Sequence, residues 1–389
     1  MNSLGTHASR FRKGRGIALL LSLLMLLAAC GNGEGVVDEP AEAPDEEPAA
    51  EPEEAGDELL QLDYVTINNT YHTPTFVAAE MGYWLEEGLD VNLMVVTSGR
   101  DVTTALGAGE ADLGGANMGT TTASARAGGN LLSGVVPYSN SATHIAFAGG
   151  RGLVANAESG IVADDPETWR GTTWGVLEGS TNDIITRRLI ENNGLDPATD
   201  LEMLNVPVPD MSISMQQGLV DAVSAWEPYM SQIVRELGDN AVIIDRNHEG
   251  YVADVIGVLA HEDWIPENEE LLYPFVVGIV RAMQFVRENP EEAAQITASY
   301  IDGLNIEDAT EGFRQLGYDP RISICTREGL VATAQGMVDE GTIEVDEPFV
   351  TDDIVNTTVL DRVIEDHPEY LDGLPPLPET LEDCEGQLN

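Results

Sequence analysis

One order of patterned segments occurs twice in this chain, about a hundred residues apart, and that repetition limits the fold more than any other feature. In the first passage Leu62–Asn68 alternates apolar and polar residues as a half-buried strand does, and Phe76–Glu87 has helical spacing that ends at Gly88. A strand at Asp90–Val96, a helix at Asp101–Ala108 and a strand at Asp112–Ala116 follow. The second passage predicts a strand at Thr173–Leu177, a helix at Thr181–Asn192, a strand at Leu201–Val206, a helix at Ser212–Gly218 and a strand at Ala222–Ala225. The copies share wording: Gly88-Leu89-Asp90 answers to Gly194-Leu195-Asp196, and Leu106 to Asp112 has the spacing of Met215 to Asp221. Strands alternating with helices predict parallel α/β units, and two such units predict two lobes with helices on both faces of each sheet. Ligands of such sheets sit beyond the carboxyl ends of the strands, so two facing lobes enclose a cleft. The stretch His144–Gly149 would carry the chain into the second lobe and Ile256–His261 would return it. That assigns residues 59–147 with 256–389 to lobe 1 and residues 148–255 to lobe 2, joined by a hinge of two crossings. Amphipathic helices are expected on lobe 1 at Glu269–Arg287, Pro290–Tyr300, Arg327–Glu340 and Ile354–Glu365.

Ahead of this lies a different kind of sequence. Residues 1–29 carry Arg10, Arg12, Lys13 and Arg15, no acid, and then an apolar run from Ile17 to Ala29. The run is short for a bilayer span and has the layout of a secretory signal. It stops at Leu27-Ala28-Ala29-Cys30-Gly31, which closely resembles the lipobox of bacterial lipoproteins, where the cysteine is acylated. Residues 30–58 then form a tether: twelve acids, no base, and Pro40, Pro44, Pro48 and Pro52 without apolar periodicity. Such a segment repels itself and stays extended. A lipid on Cys30 would hold the folded part at the outer face of the cell membrane.

Charge removes whole classes of function. The chain has 68 acidic and 18 basic residues, and residues 59–389 alone hold 56 acids against 14 bases. A surface of that sign does not bind phosphate backbones, so a nucleic-acid partner is excluded. Lys13 is the only lysine, which excludes a Schiff-base lysine and a lysine-bearing phosphate loop from the mature protein. Dense acid with arginine suits concentrated salt, where a Debye length of about 3 Å confines self-repulsion. Cys325 and Cys384 form an even pair in an oxidising compartment, and two readings stay open: a disulfide tying the tail down, or one buried thiol and one free tail thiol.

The run Ala78-x-x-x-Gly82-Tyr83-Trp84-x-x-x-Gly88-Leu89-Asp90-Val91, then Ala105-Leu106-x-x-Gly109-Glu110-Ala111-Asp112 and Ala125-Arg126-x-Gly128, is distinctive. So are Trp169-Arg170-Gly171-x-x-x-Gly175-Val176-x-x-Gly179-Ser180-Thr181, Asn193-Gly194-Leu195-Asp196-Pro197 and Val220-Asp221-Ala222-x-x-x-Trp226-Glu227-Pro228. Together they resemble the solute-binding proteins of bacterial ABC importers for nitrate, sulfonates, taurine and thiamine pyrimidine precursors. The resemblance implies a type II periplasmic-binding-protein fold whose lobes close on one small molecule. It also implies partners, an ABC permease with its ATPase, and a monomeric protein without a cofactor.

Candidate ligand residues follow from the strand-to-helix turns. Helix starts near Thr73, at Asn117 with Thr120, and at Gly179-Ser180-Thr181 offer free N–H groups beside a hydroxyl or amide. Each of these side chains could equally be a cap and nothing more. Trp226 and Glu227 follow a strand end, as wall and hydrogen-bond acceptor, or alternatively as packing and an arginine partner. Tyr71, His72 and Tyr138 are further candidates, whereas Trp84 lies on an apolar helix face and reads as core. The helix starts and Arg100 favour a sulfonate- or nitrate-like anion; Glu227, His72 and the aromatics favour a nitrogen heterocycle such as an aminopyrimidine, and the anion is placed ahead. An enzyme is the first rival, but Gly-x-Ser-x-Gly and His-Glu-x-x-His are absent. The pyrimidine synthases that share the implied fold depend on a lysine and a cysteine-rich motif that this chain lacks. A metal-binding lipoprotein is the second rival, against which His72, His144, His248, His261 and His367 are scattered.

Overall fold

The structure, a computed structural model, describes residues 59–246, 252–301 and 303–386. The signal peptide, Cys30, the tether and His248 lie outside the described residues.

Among the described residues ten strands form two five-stranded sheets. The first holds β1 (Leu60–Ile67), β2 (Leu89–Val96), β3 (Leu113–Asn117) and β4 (Leu132–Ser139). The second holds β5 (Arg151–Asn156), β6 (Thr173–Val176), β7 (Glu202–Asn205), β8 (Ala222–Trp226) and β9 (Ala241–Arg246). Strand β10 (Ile256–His261) returns to the first. The orders are β2-β1-β3-β10-β4 and β7-β6-β8-β5-β9, the same pattern twice. Parallel pairing is as expected within each repeat, with Leu60 opposite Leu89 through Ile67 opposite Val96, and Thr173 opposite Glu202.

The sheets are nonetheless mixed. β10 runs antiparallel between β3 and β4, and β5 runs antiparallel between β8 and β9. Each is the first strand laid down after the chain crosses from the other lobe, so each enters its sheet from the crossing end. Ile256–His261, expected as a connection, is therefore a central strand. Its first residue, Ile256, faces Asn117 at the end of β3, and Arg151 at the start of β5 faces Trp226 at the end of β8. Both crossings thus run at the carboxyl ends of the parallel strands, where they also bond each other through Asp254 N–H to Phe147 O at 3.1 Å.

Helices cover the sheets. The helix expected at Phe76–Glu87 is two, α1 (Thr73–Glu80) and α2 (Tyr83–Glu86), because Gly82 takes a positive φ of 69° between them. There follow α3 (Gly99–Ala108), α4 (Met118–Ala127), α5 (Thr181–Asn192), α6 (Met211–Gln216) and α7 (Tyr229–Leu237). After β10 come α8 (Trp264–Glu267), α9 (Glu269–Glu288), α10 (Pro290–Tyr300), α11 (Ile306–Gln315), α12 (Ile324–Asp339) and α13 (Thr358–Asp366). The long helix α9 buries Phe275, Val276, Ile279, Val280 and Met283 against the first lobe. Trp84 stacks on Phe275 with ring centres 5.0 Å apart and donates Nε1–H to the Phe275 carbonyl at 3.0 Å, so it is core. Cys325 in α12 is bonded to Cys384, and the tail beyond pairs with the first crossing: Ile145 N–H to Glu385 O at 2.9 Å, and Ala146 N–H to Gly386 O at 2.7 Å.

Candidate functional site

Between the carboxyl ends of the two sheets lies a cavity of about 780 Å³. The first lobe lines it from three turns: Asn69, Tyr71 and His72 after β1, Arg100 after β2, and Asn117 and Thr120 after β3. The second lobe supplies Gly179, Ser180 and Thr181 after β6, Asn205 from β7, Trp226 from β8 and Arg151 from β5. These are the positions where an α/β strand hands over to a helix, so polar caps collect there. Asn117 accepts from Thr120 N–H at 2.8 Å and Ser180 from Asp183 N–H at 3.3 Å. The two residues cap α4 and α5 while facing the cavity. Across it Thr120 Oγ1 and Thr181 Oγ1 are 3.2 Å apart.

His72 is held from behind. Its Nδ1 lies 2.7 Å from Thr66 Oγ1 and 2.5 Å from Tyr138 Oη, and the Tyr64 hydroxyl donates to Tyr138 at 3.4 Å. Nδ1 is thus held between two hydroxyls, which fixes the orientation of the ring. Burial pushes the imidazole pKa down to about 3, so the ring is neutral at physiological pH. The result is a fixed, uncharged imidazole in the cavity wall.

Two arginines matter, in different ways. The guanidinium of Arg100 has no hydrogen-bond or ion-pair partner among the described residues, whereas Arg187 pairs with Asp183, Arg188 with Glu340 and Arg246 with Glu227. It reaches over the start of α5: Gly179 has φ +75°, and a methyl there would lie 3.1 Å from Arg100 Nη2. Arg151 is buried, with Nε and Nη2 on the Asp254 carboxylate and Nη1 on Asn182 Oδ1. Its guanidinium lies over two aromatic rings, 5.3 Å from the centre of Tyr71 and 5.7 Å from that of Trp226.

Of the residues expected from sequence, Tyr71, His72, Asn117, Thr120, Gly179, Ser180, Thr181 and Trp226 line the cavity together. Thr73, Tyr138 and Glu227 do not. Thr73 is fully buried, and its hydroxyl meets Thr297 on α10 at 3.0 Å instead of the cleft. Tyr138 stands behind His72. Glu227 points away from Trp226, as neighbours along an extended chain do, and its carboxylate serves Arg246 at 2.9 Å and Ser231 N–H at 3.1 Å. Arg151, Asn69 and Asn205 were not anticipated. The available signal for Arg151 was a lone charge between Gly149-Gly150 and the apolar run Gly152–Ala155, since an arginine beside a buried strand needs a reason. No group of three or more His, Cys, Asp or Glu placed to hold a metal occurs among the described residues.

Residues 55–301 match the NMT1-like family. The chain belongs to that family. A Brucella abortus protein named as a binding protein is 25% identical to this NMT1-like protein over 271 residues, covering 68% of this chain and 79% of the relative. The alkanesulfonate-binding protein SsuA of Xanthomonas axonopodis pv. citri, solved with MOPS bound, superposes with a TM-score of 0.64 at 16% identity, covering 77% of this chain and 99% of that one. The periplasmic nitrate-binding protein NrtA of Synechocystis superposes with a TM-score of 0.65 at 14% identity, covering 84% and 93%. The fold is therefore the α/β fold of the periplasmic binding proteins, with the cleft between its two lobes.

Proposed function

We propose that this protein captures a small oxyanion of the sulfonate, taurine or nitrate kind outside the cytoplasm and delivers it to the permease and ATPase of an ABC importer, held at the membrane through Cys30. The observation that carries the reading is the Arg100 guanidinium over the start of α5, without a partner among the described residues, in a chain whose acids far outnumber its bases. An anion there would meet the guanidinium, the helix start, and the hydroxyls of Ser180 and Thr181. His72 would add a neutral imidazole. The nitrate- and alkanesulfonate-binding neighbours support the same chemistry. The heterocycle reading has lost its main group, because Glu227 is turned out of the cleft and Arg151 covers the Tyr71 and Trp226 rings.

The mechanism is closure about the two crossings. A ligand touching both lobes binds the closed form better than the open one and shifts the population toward it. The test is thermal unfolding of the full chain in about 2 M sodium chloride with methanesulfonate, taurine, nitrate or an aminopyrimidine. A ligand present at a hundred times its Kd adds about 2.7 kcal/mol, a measurable shift. An anion should give that shift and the aminopyrimidine none, and Trp226→Ala and Ser180→Ala should weaken it with the fold intact. No shift with any anion refutes the proposal.

A further inference from the structure

We infer that the Arg151–Asp254 pair sets the charge of the ligand: Arg151 offers its remaining N–H groups to the bound head, and Asp254 behind it cancels enough of the guanidinium's field that the site accepts a monoanion and rejects a dianion. This rests on the anion-capture reading above and adds a charge class and the residues that impose it.

A guanidinium has five N–H donors. Arg151 gives Nε–H and one Nη2–H to Asp254, the latter at 2.8 Å to Oδ1, and one Nη1–H to Asn182. One hydrogen on each Nη is left, on a side chain that lines the cavity. The group cannot swing away, because Tyr71 and Trp226 flank it and Asp254 is itself fixed by Asn117 Nδ2–H at 2.6 Å. Both charges are buried, Arg151 being 5% and Asp254 6% exposed, so neither is screened as a surface group would be. The other inner polar groups, His72, Asn69, Asn117, Thr120 and Thr181, are neutral. Among the described lining residues the cation not already matched is Arg100 at the mouth, and the carboxylates Glu178 and Glu191 stand exposed at the wall, where they repel added negative charge. One anionic charge can be met by Arg100, whereas a dianion brings a second charge toward Glu178 and Glu191 with no further cation to meet it. Asp254, which does not itself line the cavity, acts as the charge filter.

The test is calorimetric titration of the full chain with methanesulfonate and with sulfate at one ionic strength, comparing the natural protein with Asp254→Asn and Arg151→Lys. The natural protein should prefer methanesulfonate. Removing the Asp254 charge should strengthen methanesulfonate binding about tenfold and sulfate binding about a hundredfold, since a Coulomb energy scales with ligand charge. Arg151→Lys should weaken methanesulfonate binding. An Asp254→Asn protein that unfolds at the normal midpoint and binds both anions equally more weakly makes the pair a strut between the crossing and α5, and overturns the inference. If that variant does not fold, the natural protein decides alone: sulfate binding as tight as methanesulfonate binding overturns the filter and leaves anion capture standing. Binding of neither anion removes the capture reading itself.

Discussion

Gly115 in β3 is the most exacting test of the His72 support. A Cβ at this position would stand 2.4 Å from Tyr138 Oη, 2.7 Å from Tyr64 Oη and 2.9 Å from His72 Nδ1. All three side chains are buried and walled in, so Gly115→Ala must push a hydroxyl off its partner. Overpacking of this kind costs about 1–3 kcal/mol. Stranding one buried polar atom costs about 1–3 kcal/mol more. The sum, about 2–6 kcal/mol, lowers the unfolding midpoint by roughly 3–9 °C for a folded part of this size. Gly107→Ala is the matched control. Gly107 lies in α3 with nothing within 4 Å of the added methyl, so the same substitution should stabilise by about 0.5–1 kcal/mol through helix propensity. Urea and thermal unfolding of both variants, with methanesulfonate titrated into each, give the comparison. A Gly115→Ala protein within about 0.5 kcal/mol of the natural one and binding normally would refute the hydroxyl cluster as the support of His72.

His72 also makes stability depend on pH. Its folded pKa, about 3, lies below the ordinary 6.5, so between these values the unfolded chain binds more protons and stability falls as pH falls. The slope is up to about 1.4 kcal/mol per pH unit below 6.5, and His72→Gln should flatten the urea midpoint across that window. Cys384→Ser should lower stability by as much as about 4 kcal/mol through the entropy of a loop closed over a separation of 59 residues. Equal thiol counts with and without reductant in denaturant would show instead that the bridge does not form. Raising sodium chloride from about 0.1 M to 2 M should raise the unfolding midpoint, because 56 acids against 14 bases repel one another at low ionic strength. A flat response would remove the reading of the surface as adapted to salt.

The strands and helices of the repeat were legible because each buries one face and so carries its period in the sequence, as Leu62–Asn68 and Thr181–Asn192 do. The antiparallel strands were not. Ile256–His261 is apolar on both faces because it lies between β3 and β4, and a uniformly apolar run does not announce its direction or neighbours. Caps showed themselves by residue type, so Asn117 and Ser180 were found along with the turn that presents them. Glu227 takes the second of its two readings, the arginine partner, and the sequence left the choice open because one step along an extended chain reverses which side of the sheet a side chain takes. Arg151 escaped for a related reason: its partner Asp254 is distant in sequence, and only the meeting of the two crossings brings them together.

The position of β10 governs the order in which the protein can be made. All strands of the second sheet lie between Arg151 and Arg246, so a growing chain holds that sheet complete before Ile256 is synthesised. The first sheet begins at Leu60 but keeps an open slot between β3 and β4 until residues 256–261 arrive to fill it. Until then two hydrogen-bonding edges stand unpaired, the kind of surface that captures strands from other chains. The lobe synthesised first is thus the last to close.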